Sequence, residues 1–378
     1  MPEHSGYLTR IRIPNLDGLR GLAILLVLAH HVPTAATGWV AQFQHNGRYG
    51  VSLFFVISGY IVMTLMLREV RRSGSVDVRR FLWRRVLRLW PLYYLILLAE
   101  FLLVFAAQIY SPQNQALFAD KLACYVLYCS NWLETSGEGP FFVAWSLAVE
   151  EQFYLLLSLL LILRPGPLVA IFGGMLALKV ALVHGYPEAD LAELPWRVVL
   201  SYSEAILMGV LMAYFLDRPQ TFRWYSRLAL SPLVPGILLA TFGAFLLFGE
   251  LDDTSGGSAL AFYLICTLLV GACAVNKRLP LVGGKPLSWM GLLSYGVYLM
   301  HMPVLSAAKK ISTEPVAVMV LTLAVVLPLA WLSFTFFEEP IRRLGVRRTR
   351  PGPGRSRKTD ISPTARPTLM AAVNRAFR

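Results

Sequence analysis

Charge is what this sequence has least of. Asp, Glu, Lys and Arg make up 15% of its 378 residues, against about 25% in an average globular protein. Hydrophobic residues reach 56% and mean hydropathy is +0.57. So few charges cannot cover the surface of a soluble fold of this size, which excludes both an ordinary cytosolic enzyme and a disordered chain. Cysteine is sparse too, and four give no disulfide framework. Cys266 and Cys273 fall in an apolar stretch and read as small core residues. For Cys124 and Cys129, which share a loop, a disulfide and two free thiols both stay open. There is no Walker phosphate loop, no dinucleotide glycine fingerprint, no zinc spacing and no Gly-x-Ser-x-Gly elbow. No bound metal is therefore expected. Nor is a cleavable leader: the first apolar run begins near Leu19, passes straight into two histidines and lacks a small-residue cleavage site.

Long apolar runs are what the chain has instead. A membrane-spanning helix needs about 20 apolar residues, and ten such segments can be read, at 16–33, 50–67, 89–108, 143–163, 167–184, 199–216, 229–248, 257–275, 287–306 and 315–337. None shows the alternation of a β-barrel. The expectation is an all-α polytopic membrane helix bundle of about ten transmembrane helices. Lys and Arg orient it. With the N-terminus in the cytoplasm, seventeen basic loop residues fall inside, eight of them arginines between Arg68 and Arg88, against five outside. An even number of spans returns the C-terminus to the cytoplasm. The net charge of +13 thus reports topology rather than a nucleic-acid partner. Residues 1–15 are read as a cytoplasmic N-terminal segment and 16–340 as the transmembrane domain. Residues 341–378, with eleven basic residues and four prolines, read as a disordered cytoplasmic tail near anionic lipid.

Ionisable residues inside apolar runs carry the functional signal, because charge in a span is expensive. In the first span Asp17, Gly18 and Arg20 precede an apolar run ending in His30 and His31. The eleven steps from Arg20 to His31 turn a helix by about 1100°, only about 20° past three full turns, so the two share a face about 16 Å apart along the axis. Asp17 lies at i, i+3 from Arg20, close enough to pair with it. The plain structural alternative has Asp17 capping the helix, Arg20 reaching for the interface and the histidines marking the far boundary. In the second span Gly50, Ser58 and Gly59 permit close approach of a helix or of a ligand. Arg85 and Arg88 neighbour each other on one helical face beside Trp90 and Pro91. Two guanidinium forks at a cytoplasmic rim suit a phosphorylated ligand as well as lipid phosphate. The fourth span opens with Ser146, Glu150 and Tyr154 at i, i+4, i+8, with Glu151 on the adjoining face. Orientation puts that stripe toward the outer leaflet with His31, where a carboxylate would fix the tautomer of the imidazole. His301 lies toward the outer end of its span, as a second site histidine or a packed one. Glu338 and Glu339 close the last span, beside arginines expected to pair with them.

These stretches together resemble the membrane-bound acyltransferase type 3 family, which includes bacterial O-antigen and exopolysaccharide O-acetylases. The likeness rests on Leu16 to Gly21 with the distant His31, Gly50 to Tyr60, Arg84 to Tyr94, Trp145 to Tyr154, Ser294 to Pro303 and Glu338 to Pro340, in the family's order over about 15–345. It implies about ten membrane helices in a bacterial cytoplasmic (inner) membrane. It also implies transfer of an acyl group, commonly acetyl from acetyl-CoA, to a hydroxyl of a carbohydrate or related acceptor. In that family a basic residue of the first span is followed after ten residues by an essential histidine, which selects Arg20 and His31. The Arg-x-x-Arg associated with the acyl donor falls on Arg85 and Arg88, and the Glu-Glu pair on Glu150 and Glu151. Ala148 departs from the small polar residue usual in the tryptophan motif. Some members carry a hydrolase-like domain after the last span, which residues 341–378 do not resemble.

The expected roles follow. Acyl-CoA docks on Arg85 and Arg88 as a donor substrate, with no permanently bound cofactor. His31 acts as general base or accepts the acyl group, and Glu150 or Glu151 orients it. Asp17 and Arg20 form a structural or donor-gating pair, while Ser146, Tyr154 and His301 support the site. Two other classes use the same residues differently: a transporter of an acylated sugar or organic anion, and a scaffold whose basic tail recruits partners.

Overall fold

The computed structural model describes residues 4–348 apart from Ile11, 34–36, 134–138, 161–164, 186–202, Pro232, 251–256 and Arg278. Every regular element among them is helical. Arg164, Arg197 and Arg278, counted above for orientation, and the tail from 349 onward lie outside the described residues.

Each of the ten predicted segments coincides with a helix. They are α2 (Pro14–His31), α4 (Gly50–Ser73), α5 (Val78–Phe101), α7 (Ala144–Leu160), α8 (Pro165–Gly185), α9 (Glu204–Asp217), α11 (Leu233–Phe248), α12 (Gly257–Val275), α13 (Lys285–Ile311) and α14 (Pro315–Ser333). Short helices join them: α1 (His4–Thr9), α3 (Trp39–Asn46), α6 (Pro112–Val126) and α10 (Pro219–Ala229), with α15 (Glu339–Arg348) following the last. Among the described residues four helical stretches are long and apolar enough to cross a membrane, at Trp39–Ser73, Val78–Ala106, Gly257–Val275 and Pro315–Leu344.

Local chemistry sets the ends. Pro14 opens α2 where a missing N–H leaves no bond unmade. Gly74 ends α4 in the left-handed region, φ 79°, its N–H donating to Val70 O at 2.7 Å. Asp77 then starts α5 by accepting from the Arg80 N–H at 2.9 Å. From this cap on, Arg79 to Arg88 belong to one helix, which sets the face each residue occupies.

The bundle is tightest where small residues let backbones touch. Helix α2 lies against α13 through Gly21 and Gly291, where an added Cβ would stand 2.1 Å from Leu287 O and 1.7 Å from Asp17 O. Helices α4 and α9 meet reciprocally: a Cβ on Gly59 would lie 2.1 Å from Ile206 O, and one on Gly209 2.1 Å from Val56 O. So Gly59 serves helix packing, while Ser58 beside it faces elsewhere. Helix α1 is tucked beneath the bundle, its Tyr7 hydroxyl 2.7 Å from that of Tyr60, and Arg68 donates to Arg10 O at 2.6 Å.

Two details differ from the sequence reading. All four cysteines are free, so Cys124 and Cys129 are not bonded. Residues 341–348, expected to be unstructured, continue as α15 because Glu339 in its first turn accepts from both Arg342 and Arg343 at i+3 and i+4. Glu338 does not follow suit; it accepts the Ser333 hydroxyl at 3.0 Å across a π-helical turn, Phe334–Glu338.

Candidate active site

Helices α2, α4, α5, α7 and α13 line a narrow cleft with a cavity of about 70 Å³. Its polar wall is made by Arg20 from α2, Ser58 from α4, Arg85 and Arg88 from α5, Ser146, Glu150 and Tyr154 from α7, and Ser294, Tyr295 and Tyr298 from α13. Each side chain comes from a stripe one helical repeat wide. The i, i+4, i+8 spacing of Ser146, Glu150 and Tyr154 lines one face of α7, and Ser294, Tyr298 and His301 do the same on α13.

The lower part of the cleft is cationic. Arg20 donates to the Ser294 hydroxyl at 3.4 Å and lies 6.0 Å from the Phe54 ring centroid. The Arg85 guanidinium sits over Tyr154 at 4.8 Å and Phe81 at 5.6 Å. Among the described residues none of Arg20, Arg85 and Arg88 makes an ion pair with a carboxylate. The one carboxylate on the wall, Glu150, accepts from the Ser58 hydroxyl at 2.6 Å and from the Tyr154 hydroxyl at 3.4 Å. Three guanidinium groups facing one carboxylate across a cavity leave donors open to an anionic ligand.

Two expected partnerships are replaced by others. Asp17 does not pair with Arg20: it accepts from Arg12 Nε at 2.7 Å, at the outer surface of the first turn. The i, i+3 spacing allowed contact with Arg20, but Arg20 turns inward to Ser294 while Asp17 follows the exposed side. Glu150 and Glu151 do not reach His31 either. Their helix passes His31 near Phe142, whose ring centroid is 5.7 Å from the imidazole, and each later turn runs deeper. Glu150 therefore lands among the arginines. Glu151 accepts the Trp90 indole N–H at 3.2 Å through Oε2, while its Oε1 has no partner among the described residues.

A backbone carbonyl does what a carboxylate was expected to do. His31 Nδ1 is 2.8 Å from Val27 O, one turn back along α2. A carbonyl can only accept, so Nδ1 carries the hydrogen and Nε2 keeps its lone pair. His301 is fixed in the same way by Tyr298 O at 2.6 Å. Its ring is fully buried, lies 5.1 Å from that of His31, and its Nε2 has no partner among the described residues. Here the structure brings together two residues that the sequence had placed only at similar depth.

His31 is half-buried and stands just beyond the cleft rather than on its wall. Between them the Ser146 and Tyr298 hydroxyls bond at 2.7 Å, and Tyr298 donates to Val143 O at 3.0 Å. The Tyr298 ring packs 5.6 Å from His301. One aromatic side chain thus separates the arginine cleft from the histidine pair.

A family model described as an acyltransferase domain matches residues 13–335. The chain belongs to that family. Over 88% of its length this acyltransferase-family chain is similar to the O-acetyltransferase OatA of Staphylococcus aureus (strain NCTC 8325), 27% identical across 364 residues. Over 89% it is similar to the peptidoglycan O-acetyltransferase OatA of Listeria monocytogenes, 28% identical across 379 residues. It spans 58% and 57% of the lengths of these two relatives. No solved structure matches it.

Several residues of the cleft were not singled out from the family motifs: Phe54, Ser294, Tyr295 and Tyr298. The signal was present for two of them, since Ser294 and Tyr298 continue the His301 stripe at helical spacing. Trp90 adjoins the arginines in sequence, but its bond to Glu151 joins two helices far apart in the chain, which no local pattern encodes.

Proposed function

We propose that this chain is an integral membrane acyltransferase that moves an acyl group, acetyl in the first instance, from acyl-CoA to a hydroxyl of a cell-envelope glycan. The observation that carries the proposal is the cleft holding Arg20, Arg85 and Arg88 and stopping, one side chain away, at the His31–His301 pair. The ten helices are read as ten spans, with both termini on the cytoplasmic side of a bacterial inner membrane. The cationic end of the cleft then opens toward the compartment that holds CoA thioesters, and the ends of α2 and α13 that carry the histidines face the opposite side.

In this reading the phosphates of CoA engage Arg85 and Arg88, with Arg20 deeper along the path, and the thioester passes Glu150 toward Tyr298. His31 Nε2, its tautomer fixed by Val27 O, removes the proton from the acceptor hydroxyl. The oxygen attacks the thioester carbonyl, the C–S bond breaks, and the departing CoA thiolate recovers the proton from the imidazolium. A thioester is already activated, so alignment and one base suffice: positioning contributes up to about 7–11 kcal/mol and general-base help about 10²–10⁴-fold. The Listeria relative, named as a peptidoglycan O-acetyltransferase, supports a glycan acceptor; the acyl donor is inferred from the arginine chemistry.

The test is mass spectrometry of envelope glycans from cells with and without the gene. The expected result is a species one acetyl group heavier, present only when the chain is expressed and missing with His31→Ala. Identical glycan profiles in the two strains overturn the proposal.

A further inference from the structure

A second cavity, of about 250 Å³, lies on the other side of α4. Val51 and Phe55 line both cavities, so α4 is their common wall. Helix α7 contributes to both in alternation: Trp145 and Val149 face the second cavity, Ser146 and Glu150 the first. The rings of Phe55 and Trp145 pack edge to face at 6.1 Å, forming the partition.

The chemistry of this cavity differs from that of the arginine cleft. Its walls combine the rings of Trp145 and Tyr263, the hydroxyls of Ser52 and Ser203, and one ion pair, Lys179 Nζ to Glu204 Oε2 at 3.1 Å. Lys179 is the only Lys, Arg, Asp or Glu in the otherwise apolar α8. Both side chains of the pair are mostly buried, 15% and 20% exposed. Withdrawing two charges from water on apolar helices is costly for stability alone. On a cavity wall the same pair offers donors and acceptors side by side. Arg48, over the Tyr49 ring at 5.1 Å, adds a cation at the rim, next to Gly47, which packs on the backbone of His30. The cavity therefore opens at the histidine end of the bundle.

We infer that this cavity is the acceptor subsite and takes a saccharide, resting on the reading of the chain as an acyltransferase. A sugar ring presents apolar C–H faces to aromatic walls and a rim of hydroxyls that both donate and accept. Aromatic rings together with a Lys–Glu pair and serine hydroxyls match that duality. A polyanion would instead require the unpaired cations of the neighbouring cleft. The acceptor hydroxyl is presented past the Phe55–Trp145 partition toward Ser146, Tyr298 and His31, so donor and acceptor approach the histidines from separate cavities.

The test uses the full chain in membranes, radiolabelled acetyl-CoA as donor and purified peptidoglycan glycan strands as acceptor probe, with KM measured for each. Glu204→Gln and Tyr263→Leu are expected to raise the glycan KM about tenfold, the effect of losing one hydrogen bond to a charged group or one contact surface, and to leave the acetyl-CoA KM unchanged. The exchanged pair Lys179→Glu with Glu204→Lys keeps the α8–α9 bridge, so its thermal stability is expected to match wild type while the glycan KM stays raised. A glycan KM unchanged in both single variants, an equal rise in the acetyl-CoA KM, or recovery of the glycan KM in the exchanged pair overturns the inference. Wild-type membranes that move no label from acetyl-CoA to glycan refute the acyltransferase reading itself, and this inference with it.

Discussion

His31 shows how much one residue's chemistry depends on neighbours that sequence spacing does not reveal. Helical phase placed it on the face of Arg20; Arg20 lines the cleft, and His31 stands just beyond it. Among the described residues no carboxylate is bonded to the imidazole, and Val27 O, one turn back, fixes the tautomer instead. The carboxylates stood out in the sequence, since two adjacent glutamates at the start of an apolar helix need a reason. Their partners were not, because Ser58 and Trp90 come from helices remote in the chain. Arg85→Lys and Arg88→Lys separate charge from geometry. Lysine keeps the charge but loses the planar fork, so each is expected to raise the acetyl-CoA KM about tenfold or more while leaving the glycan KM unaltered. Steady-state kinetics with one substrate varied at a time reads the difference. Tyr298→Phe removes the hydroxyl bonded to Ser146 and Val143 O; kcat is expected to change with little effect on either KM, since the residue stands between the two groups of reactants.

At the scale of elements, most of the fold was legible. Each of the ten apolar runs coincides with a helix among the described residues, because a helix satisfies the backbone bonds of an apolar run internally. What was not legible was which helices touch. The glycine contacts that settle it, Gly21 with Gly291 and Gly59 with Gly209, depend on both partners at once. Gly291→Val would press a branched side chain into Asp17 O, already 1.7 Å from an added Cβ. Overpacking of this kind costs about 1–3 kcal/mol and at times more. A lower melting temperature in detergent and reduced membrane yield are expected. Gly173 on α8, where an added Cβ meets nothing within 4 Å, is the control: Gly173→Ala is expected to leave both unchanged.

For the molecule as a whole, the account rests on sidedness: a cationic cleft reached from one face, a histidine pair and a second cavity at the other. Single cysteines in a cysteine-free background test this by labelling in intact cells. A cysteine at Arg72, in the last turn of α4, is expected to resist a membrane-impermeant maleimide, and one at Lys309, near the end of α13, to react; the reverse pattern would invert the bundle. The most direct measurement is transfer itself. Purified protein in liposomes, supplied with radiolabelled acetyl-CoA and glycan strands, is predicted to label the glycan, and His31→Ala to lower kcat by about 10²–10⁴-fold while acetyl-CoA binding stays at its wild-type value. Glycan labelling by His31→Ala at the wild-type rate would contradict the account at its centre.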